Sequence, residues 1–268
     1  MESTALQLFG TTSTELTPLE ELIRGELAKD EHAYNFEPAR YRIASQVGRF
    51  QNILDEDELL REIRAIILMS RIVRALWDNR AGGDNGNSES GKSPPRCVSY
   101  NGVQGEWRDG DAVGRIIPCD ACSYNRWGSE QKRDESTGMV IRGRGKACKE
   151  MRRFLILLEG HDEPAILTLP PTSIKPFDRY ANALRSAKPM SAYWAVLTRI
   201  GLDKAANDSG QQYAVATFEL AGRLDEAAVA TVIALRRQFE ATLGVAPEYE
   251  EYLDENGVPK DPNDPDAW

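Results

Sequence analysis

The residues in this chain best suited to chemistry are four cysteines. Cys97, Cys119, Cys122 and Cys148 are spaced C-x21-C-x2-C-x25-C. A C-x-x-C pair offers two sulfurs from one turn, and two more from separate segments complete the tetrahedral thiolate set that zinc takes. An ion held by four protein ligands has no position open for water or substrate, so the Zn2+ expected here is structural. An iron–sulfur cluster draws on the same four thiolates; unmetallated or disulfide-paired cysteines are the remaining alternatives. No βαβ pattern frames Cys119 and Cys122, which argues against a thioredoxin-like redox pair. Residues 97–150 are poor in aliphatic side chains and rich in Gly, Arg and Asp. Such a stretch buries too little apolar area to order itself, and metal binding supplies the missing folding free energy.

Rings and cations surround the cysteines. Tyr100, Trp107, Tyr124 and Trp127 are interleaved with Arg115, Arg126, Arg142, Arg144, Lys146, Lys149, Arg152 and Arg153. Single-stranded nucleic acid asks for this mixture, since cations track phosphate and flat rings stack on bases at roughly 1–3 kcal/mol each. The expected phosphate contacts are Arg126, Lys146, Lys149, Arg152 and Arg153. The expected stacking residues are Tyr124, Trp127 and one of Tyr193 or Trp194, because adjacent strand residues face opposite ways. In GRGKACK, residues 143–149, the glycines are expected to allow close backbone approach. A competing reading makes Trp107 and Trp127 the small core of the zinc module.

Charge is unevenly spread. The formal net charge is −9, yet residues 92–153 hold thirteen Lys/Arg against eight Asp/Glu. Residues 245–268 carry eight acids and one base, Lys260, and end in Pro-Asp-Ala-Trp. Asp264, Asp266 and Trp268 form an acidic tip with a terminal aromatic, suited to a basic-rimmed apolar pocket on a partner or to the chain's own basic groove; a merely solubilising tail is the alternative.

Other chemistry is weakly supported. His32 and His161 stand far apart, and no metalloprotease motif, nucleophile elbow or catalytic triad is present, so no enzyme activity is expected. GNSESGKS, residues 86–93, satisfies the phosphate-binding-loop pattern. That loop requires a strand before it and a helix after it. Here Gly83-Asp84-Asn85 precedes it, and Pro94-Pro95 disfavour a helix directly after it.

The elements that must position these residues follow from periodicity. Residues 1–15 look disordered and 18–29 form a short helix. The spacing of Leu59, Ile63, Ile66, Val73 and Trp77 predicts a helix over 55–78, with Arg61, Arg64, Arg71 and Arg74 along a neighbouring side. A flexible linker spans 81–95. Strands are expected over 152–160 and 164–170, turning through His161-Asp162-Glu163, and over 191–202 and 211–224, turning at 207–210. Helices are expected over 172–188, starting after Pro176, and over 224–244, ending at Gly244. With strands within 96–118 this order matches an OB-fold barrel, which binds oligonucleotides on one face. The fold class is therefore mainly β with added helices (α+β): an N-terminal helical segment (1–80), a linker (81–95), a zinc-bearing OB-fold core (96–224), a C-terminal helix (225–244) and a disordered acidic tail (245–268).

These features together resemble bacterial single-stranded DNA-binding proteins and their phage counterparts, which pair an OB-fold with an acidic tail ending in an aromatic residue, here VPKDPNDPDAW. A zinc module within the OB-fold resembles the zinc-bearing helix-destabilising proteins of tailed phages, and the zinc-carrying OB domain in the large subunit of eukaryotic replication protein A. The run CDACSYNRWGS, GKACKEMRRFLILLEG and LTLPPTSIKPFDRY is similar to a family of phage and mobile-element proteins suspected of binding single-stranded DNA. The resemblance implies a non-catalytic protein that coats exposed DNA in replication or recombination and recruits replication or recombination proteins through its tail. It also implies a cytoplasmic location in a bacterial host cell, no membrane association, and room for a homo-oligomer. A zinc-containing protein-interaction adaptor that ignores nucleic acid is the alternative.

Overall fold

The computed structural model describes residues 38–44, 48–55, 57–76, 95–109, 112–133, 139–206 and 212–240. It contains thirteen strands: β1 (Arg40–Ala44), β2 (Arg49–Asn52), β3 (Leu59–Leu60), β4 (Ile63–Leu76), β5 (Cys97–Ser99), β6 (Gln104–Asp109), β7 (Ala112–Pro118), β8 (Gln131–Arg133), β9 (Val140–Arg142), β10 (Lys149–Leu158), β11 (Pro164–Leu169), β12 (Val196–Ala206) and β13 (Gln212–Arg223). Among the described residues two α-helices join them, α1 (Ile174–Ser186) and α2 (Glu226–Gln238).

The run IRAIILMSRIVRAL, expected to be helical, is strand β4, fourteen residues long. A run apolar on all sides suits a central strand buried on both faces as well as it suits a helix, and the β-branched Ile63, Ile66, Ile67, Ile72 and Val73 favour the strand. Ile63, Ala65 and Ile67 enter one core, while Ile66, Leu68 and Met69 enter a second on the other side. Leu155 pairs with Met69 but Ile156 pairs with Ile67, so Leu68 is an extra, bulged residue. A bulge reverses which residues face which side. Arg64 and Arg74 consequently lie on opposite faces instead of along one helix side. Arg64 pairs with Glu159, Arg74 with Glu150, and Arg71 with Glu240 near the end of α2. The carbonyl of Leu68 accepts a hydrogen bond from Arg236 of α2. The helix expected over 55–78 is thus corrected, and the described residues between 38 and 76 carry β1 to β4 of the common sheet.

Eleven strands form that sheet. Its main path is β3-β2-β1-β11-β10-β4-β5-β6-β7, with β12 also on β4 and β13 on β12. The β1–β11 pair is parallel, which makes the sheet mixed. One edge of β4 has two strand partners, β12 at Ile63–Ala65 and β5 at Arg74–Leu76. The stretch between them meets the 3-10 turn Tyr193–Ala195. Strands β10 and β13 are three steps apart, about 14 Å in a flat sheet. Their Phe154 and Phe218 rings nevertheless lie 6.1 Å apart, with Phe177 of α1 at 4.6 and 5.4 Å from them. The sheet therefore curls around its first core. It does not close into the expected barrel: α1 lies across the opening, and Ser173 just before it accepts a hydrogen bond from the Ala216 backbone of β13 at 2.9 Å. Helix α2 covers the second core through Ala228 and Val232.

The β10–β11 hairpin forms where the sequence places it, as do β13 and α2, which starts behind the Asp225 cap (Ala228 N to Asp225 Oδ1, 2.8 Å). Helix α1 begins at Ile174, ahead of Pro176. Pro176 is tolerated there because first-turn N–H groups have no partner within the helix. Strand β12 starts only at Val196, since Tyr193 to Ala195 form the 3-10 turn. The expected segments 1–15 and 18–29, residues 81–94 of the linker with its GNSESGKS stretch, the 207–210 turn, Gly244 and the acidic tail all lie outside the described residues. Among the described residues no helix is long and apolar enough to cross a membrane.

Candidate metal centre and cationic surface

The four cysteines come from four places along the chain and line one cavity of about 10 Å³, together with Arg74, Gly105 and Asn125. Cys97 opens β5 opposite Leu76 of β4 and Trp107 of β6. Cys119 follows β7, and Cys122 precedes the 3-10 turn Ser123–Asn125, so the C-x-x-C segment is a turn as expected. Cys148 stands just ahead of β10. The backbone around them is knit together: Cys119 N donates to Val103 O at 2.8 Å, Asn125 Nδ2 to Cys119 O at 2.8 Å, and Cys148 N to Tyr124 O at 2.9 Å. Cys119 and Cys148 are buried, Cys97 and Cys122 part-buried, and none forms a disulfide.

Burial pushes the Cys97 thiol up to about 11, helped by the nearby Cys119, Cys122 and Glu106. The Cys148 thiol is pushed up to about 12 by burial and then by the other three cysteines, against a smaller opposing pull from Arg74. Bare thiolates held this close repel one another, whereas a divalent cation among them inverts that penalty and deprotonates its ligands. Four sulfurs with no carboxylate among the cavity's lining residues are a soft donor set of the kind zinc takes. Arg74, held by Glu150 at 2.5 Å, also lies against Cys119, so a cation borders the sulfurs. Among the described residues no group of three or more His, Cys, Asp or Glu side chains is already drawn together as a ligand set. The sulfurs share a cavity, and ligation would require them to close onto its centre.

Gly105 makes this packing possible. A Cβ there would stand 2.7 Å from Cys97 Sγ and 3.7 Å from Cys119 Sγ. Gly105→Ala is therefore expected to displace Cys97 and to weaken retention of zinc at least tenfold in competition with a chromogenic chelator, the scale on which disturbed ligand positioning acts. Unchanged retention would show that the Cys97 sulfur takes no part in binding.

The frame around the cavity gives several of the expected nucleic-acid contacts partners within the chain. Tyr124, part-buried, packs on the buried Trp107 (5.9 Å between centroids, tilted 35°) against a small core with Leu76 and Cys148. Arg96 and Arg115 lie over the Trp107 ring at 4.7 and 5.3 Å. Lys149 is held by Glu130 at 2.7 Å. Arg153 is fully buried within the sheet, because its neighbour Arg152 takes the opposite face. Arg152 pairs with Asp178 at 2.6 Å and lies over Phe177. Tyr193 and Trp194 sit in a turn and not in a strand: Tyr193 packs on Phe177 in the first core, and Trp194 on the second core beneath Arg236. Asp264, Asp266 and Trp268 lie outside the described residues.

One organising residue was not foreseen. Glu130 is 3% exposed and accepts hydrogen bonds from Lys149 Nζ and from Gly145 N (3.3 Å), while its carbonyl accepts from Gly143 N (3.0 Å). A Cβ on Gly143 would come within 2.5 Å of Glu130 Oε2. This glycine thus serves packing on a buried carboxylate instead of close approach to a ligand. The sequence signal available was an acid eight residues after Cys122, ahead of the glycine-rich GRGKACK.

What remains on the surface is compact. Trp127 is 69% exposed, with Lys146 Nζ at 5.4 Å from its ring and also bonded to Asn125 Oδ1 at 3.2 Å. Gly128 N bonds the carbonyls of Arg144 and Gly145, which sets Arg126, Trp127, Arg144 and Lys146 around one loop junction. Arg126, Arg142 and Arg144 are exposed, and no carboxylate among the described residues pairs with them. Comparison of the chain with protein-family models, with curated proteins and with solved structures finds no match.

Proposed function

We propose that this protein is a non-catalytic single-stranded DNA-binding protein whose strand-contacting surface is carried by a structural zinc module. The observation that supports it most is Trp127, exposed at a loop junction with Arg126, Arg144 and Lys146, with Arg142 at the end of β9. An exposed indole supplies a stacking platform for any base, and the surrounding cations neutralise phosphate. Cys97, Cys119, Cys122 and Cys148 would hold the zinc, whose contribution is folding free energy for a segment too polar to order itself. The acidic tip at Asp264, Asp266 and Trp268 would recruit replication or recombination proteins, as in the phage and bacterial proteins the sequence resembles. The reading rests on the module's surface and does not need an OB barrel; the curled sheet around the first core is the part of the fold that comes nearest to one.

The test is titration of labelled oligo-dT across a salt series. Four cations on phosphate give a slope of log affinity against log salt of about −3. Salt-insensitive binding, or none at low salt, would remove the reading. The second outcome would favour the adaptor, for which the exposed Met139 (68%) and Ile141 (47%) beside the cationic loops supply apolar contact area.

A further inference from the structure

A groove of about 920 Å³ opens between α1 and α2, where β4 lacks a strand partner and the Tyr193–Ala195 turn fills the gap. Its size suits an ordered ligand. Tyr193 and Trp194 line it, both part-buried, and Arg152, Arg185 and Arg223 add three cations. The carboxylate in its wall, Asp178, is already taken by Arg152 at 2.6 Å. Arg185 and Arg223 are exposed and have no carboxylate partner among the described residues. Two uncompensated guanidiniums beside planar rings select an anion attached to a flat ring.

We infer that this groove binds one nucleotide unit, its phosphate on Arg185 and Arg223 and its base against the part-exposed surface that Tyr193 and Trp194, each packed on its own core, still present to the groove. In its strand-binding form the inference rests on the proposed function, with the groove as a second contact for the same DNA. Cys148, just ahead of β10, and Arg152 within it stand four residues apart, so the groove begins about 13 Å along the sheet from the cysteine cavity. The same chemistry serves a free nucleotide, and the experiment separates the two sources.

The full chain, the double variant R185E/R223E and a charge-matched control on exposed α1 positions, K175E/R179E, are each titrated with two probes. Thymidine monophosphate is followed by the Trp194 indole N–H resonance, and an oligo-dT of about 16 nucleotides by anisotropy. If the groove takes part of a strand, R185E/R223E loses about tenfold or more in oligonucleotide affinity and its salt slope becomes shallower by about 1.4, while K175E/R179E stays near wild type. If it takes a free nucleotide, the indole signal shifts saturably with the monophosphate in wild type and control, and not in R185E/R223E. Either response supports the groove. An unmoved indole signal together with equal oligonucleotide affinity in the two double variants overturns it, and leaves the Trp127 surface standing if oligo-dT still binds. A mononucleotide response in a protein that ignores oligo-dT keeps the groove and removes the strand-coating function.

Discussion

Cys148→Ser is expected to abolish zinc binding and to unfold the segment around residues 95–150, while the curled sheet of β1, β10, β11, β12 and β13 persists. Structural zinc contributes on the order of 10–16 kcal/mol of apparent binding free energy in small modules. The local core here, Leu76, Trp107, Tyr124 and Cys148, is too small to replace it. A buried hydroxyl alone would cost about 1–3 kcal/mol, so the two causes differ in size and in reversibility. Limited proteolysis should cut the variant within 95–150 and spare β10 onward. Wild type treated with a chelator should give the same fragments and recover on adding zinc, whereas the variant should not recover. A variant as resistant as wild type would mean that the cavity is held by packing alone.

Trp127→Ala carries the second large effect. Loss of one stacked base costs roughly 1–3 kcal/mol, which is about 5- to 150-fold in oligo-dT affinity. Because Trp127 is 69% exposed, the same change should alter stability by no more than about 0.5 kcal/mol. Arg126→Ala with Arg144→Ala should make the salt slope shallower by about 1.4. Tyr124→Phe, which keeps the ring on Trp107 and removes only the hydroxyl, should leave affinity unchanged. Full affinity in the Trp127 variant, measured by anisotropy at low salt, would detach the cysteine module from strand binding.

The sequence was most legible where local pattern and final environment agree. The β10–β11 hairpin has a polar turn between two apolar runs, and α1 places Phe177, Tyr180 and Leu184 on one side, as periodicity demands. Strand β4 failed this test because its run is apolar on both faces, so helical spacing was satisfied by coincidence; the bulge at Leu68 removed the alternation that would have revealed a strand. Strands β1 and β2 are short, and β1 pairs in parallel with β11 more than a hundred residues away, which no local signal encodes. Convergence of the cysteines was legible from their number and spacing. The division of the basic residues was not, since Arg126 and Arg153 look alike until the sheet buries one and a loop exposes the other. The pairing of Lys149 with Glu130 was not legible either, since the two stand nineteen residues apart.

The most direct measurement is metal content with thiol titration on the purified, reduced full chain. The account predicts one zinc per chain, with Cys97, Cys119, Cys122 and Cys148 all protected from a thiol reagent until a strong chelator removes the ion. A folded chain without metal, whose four thiols react at once, would contradict it.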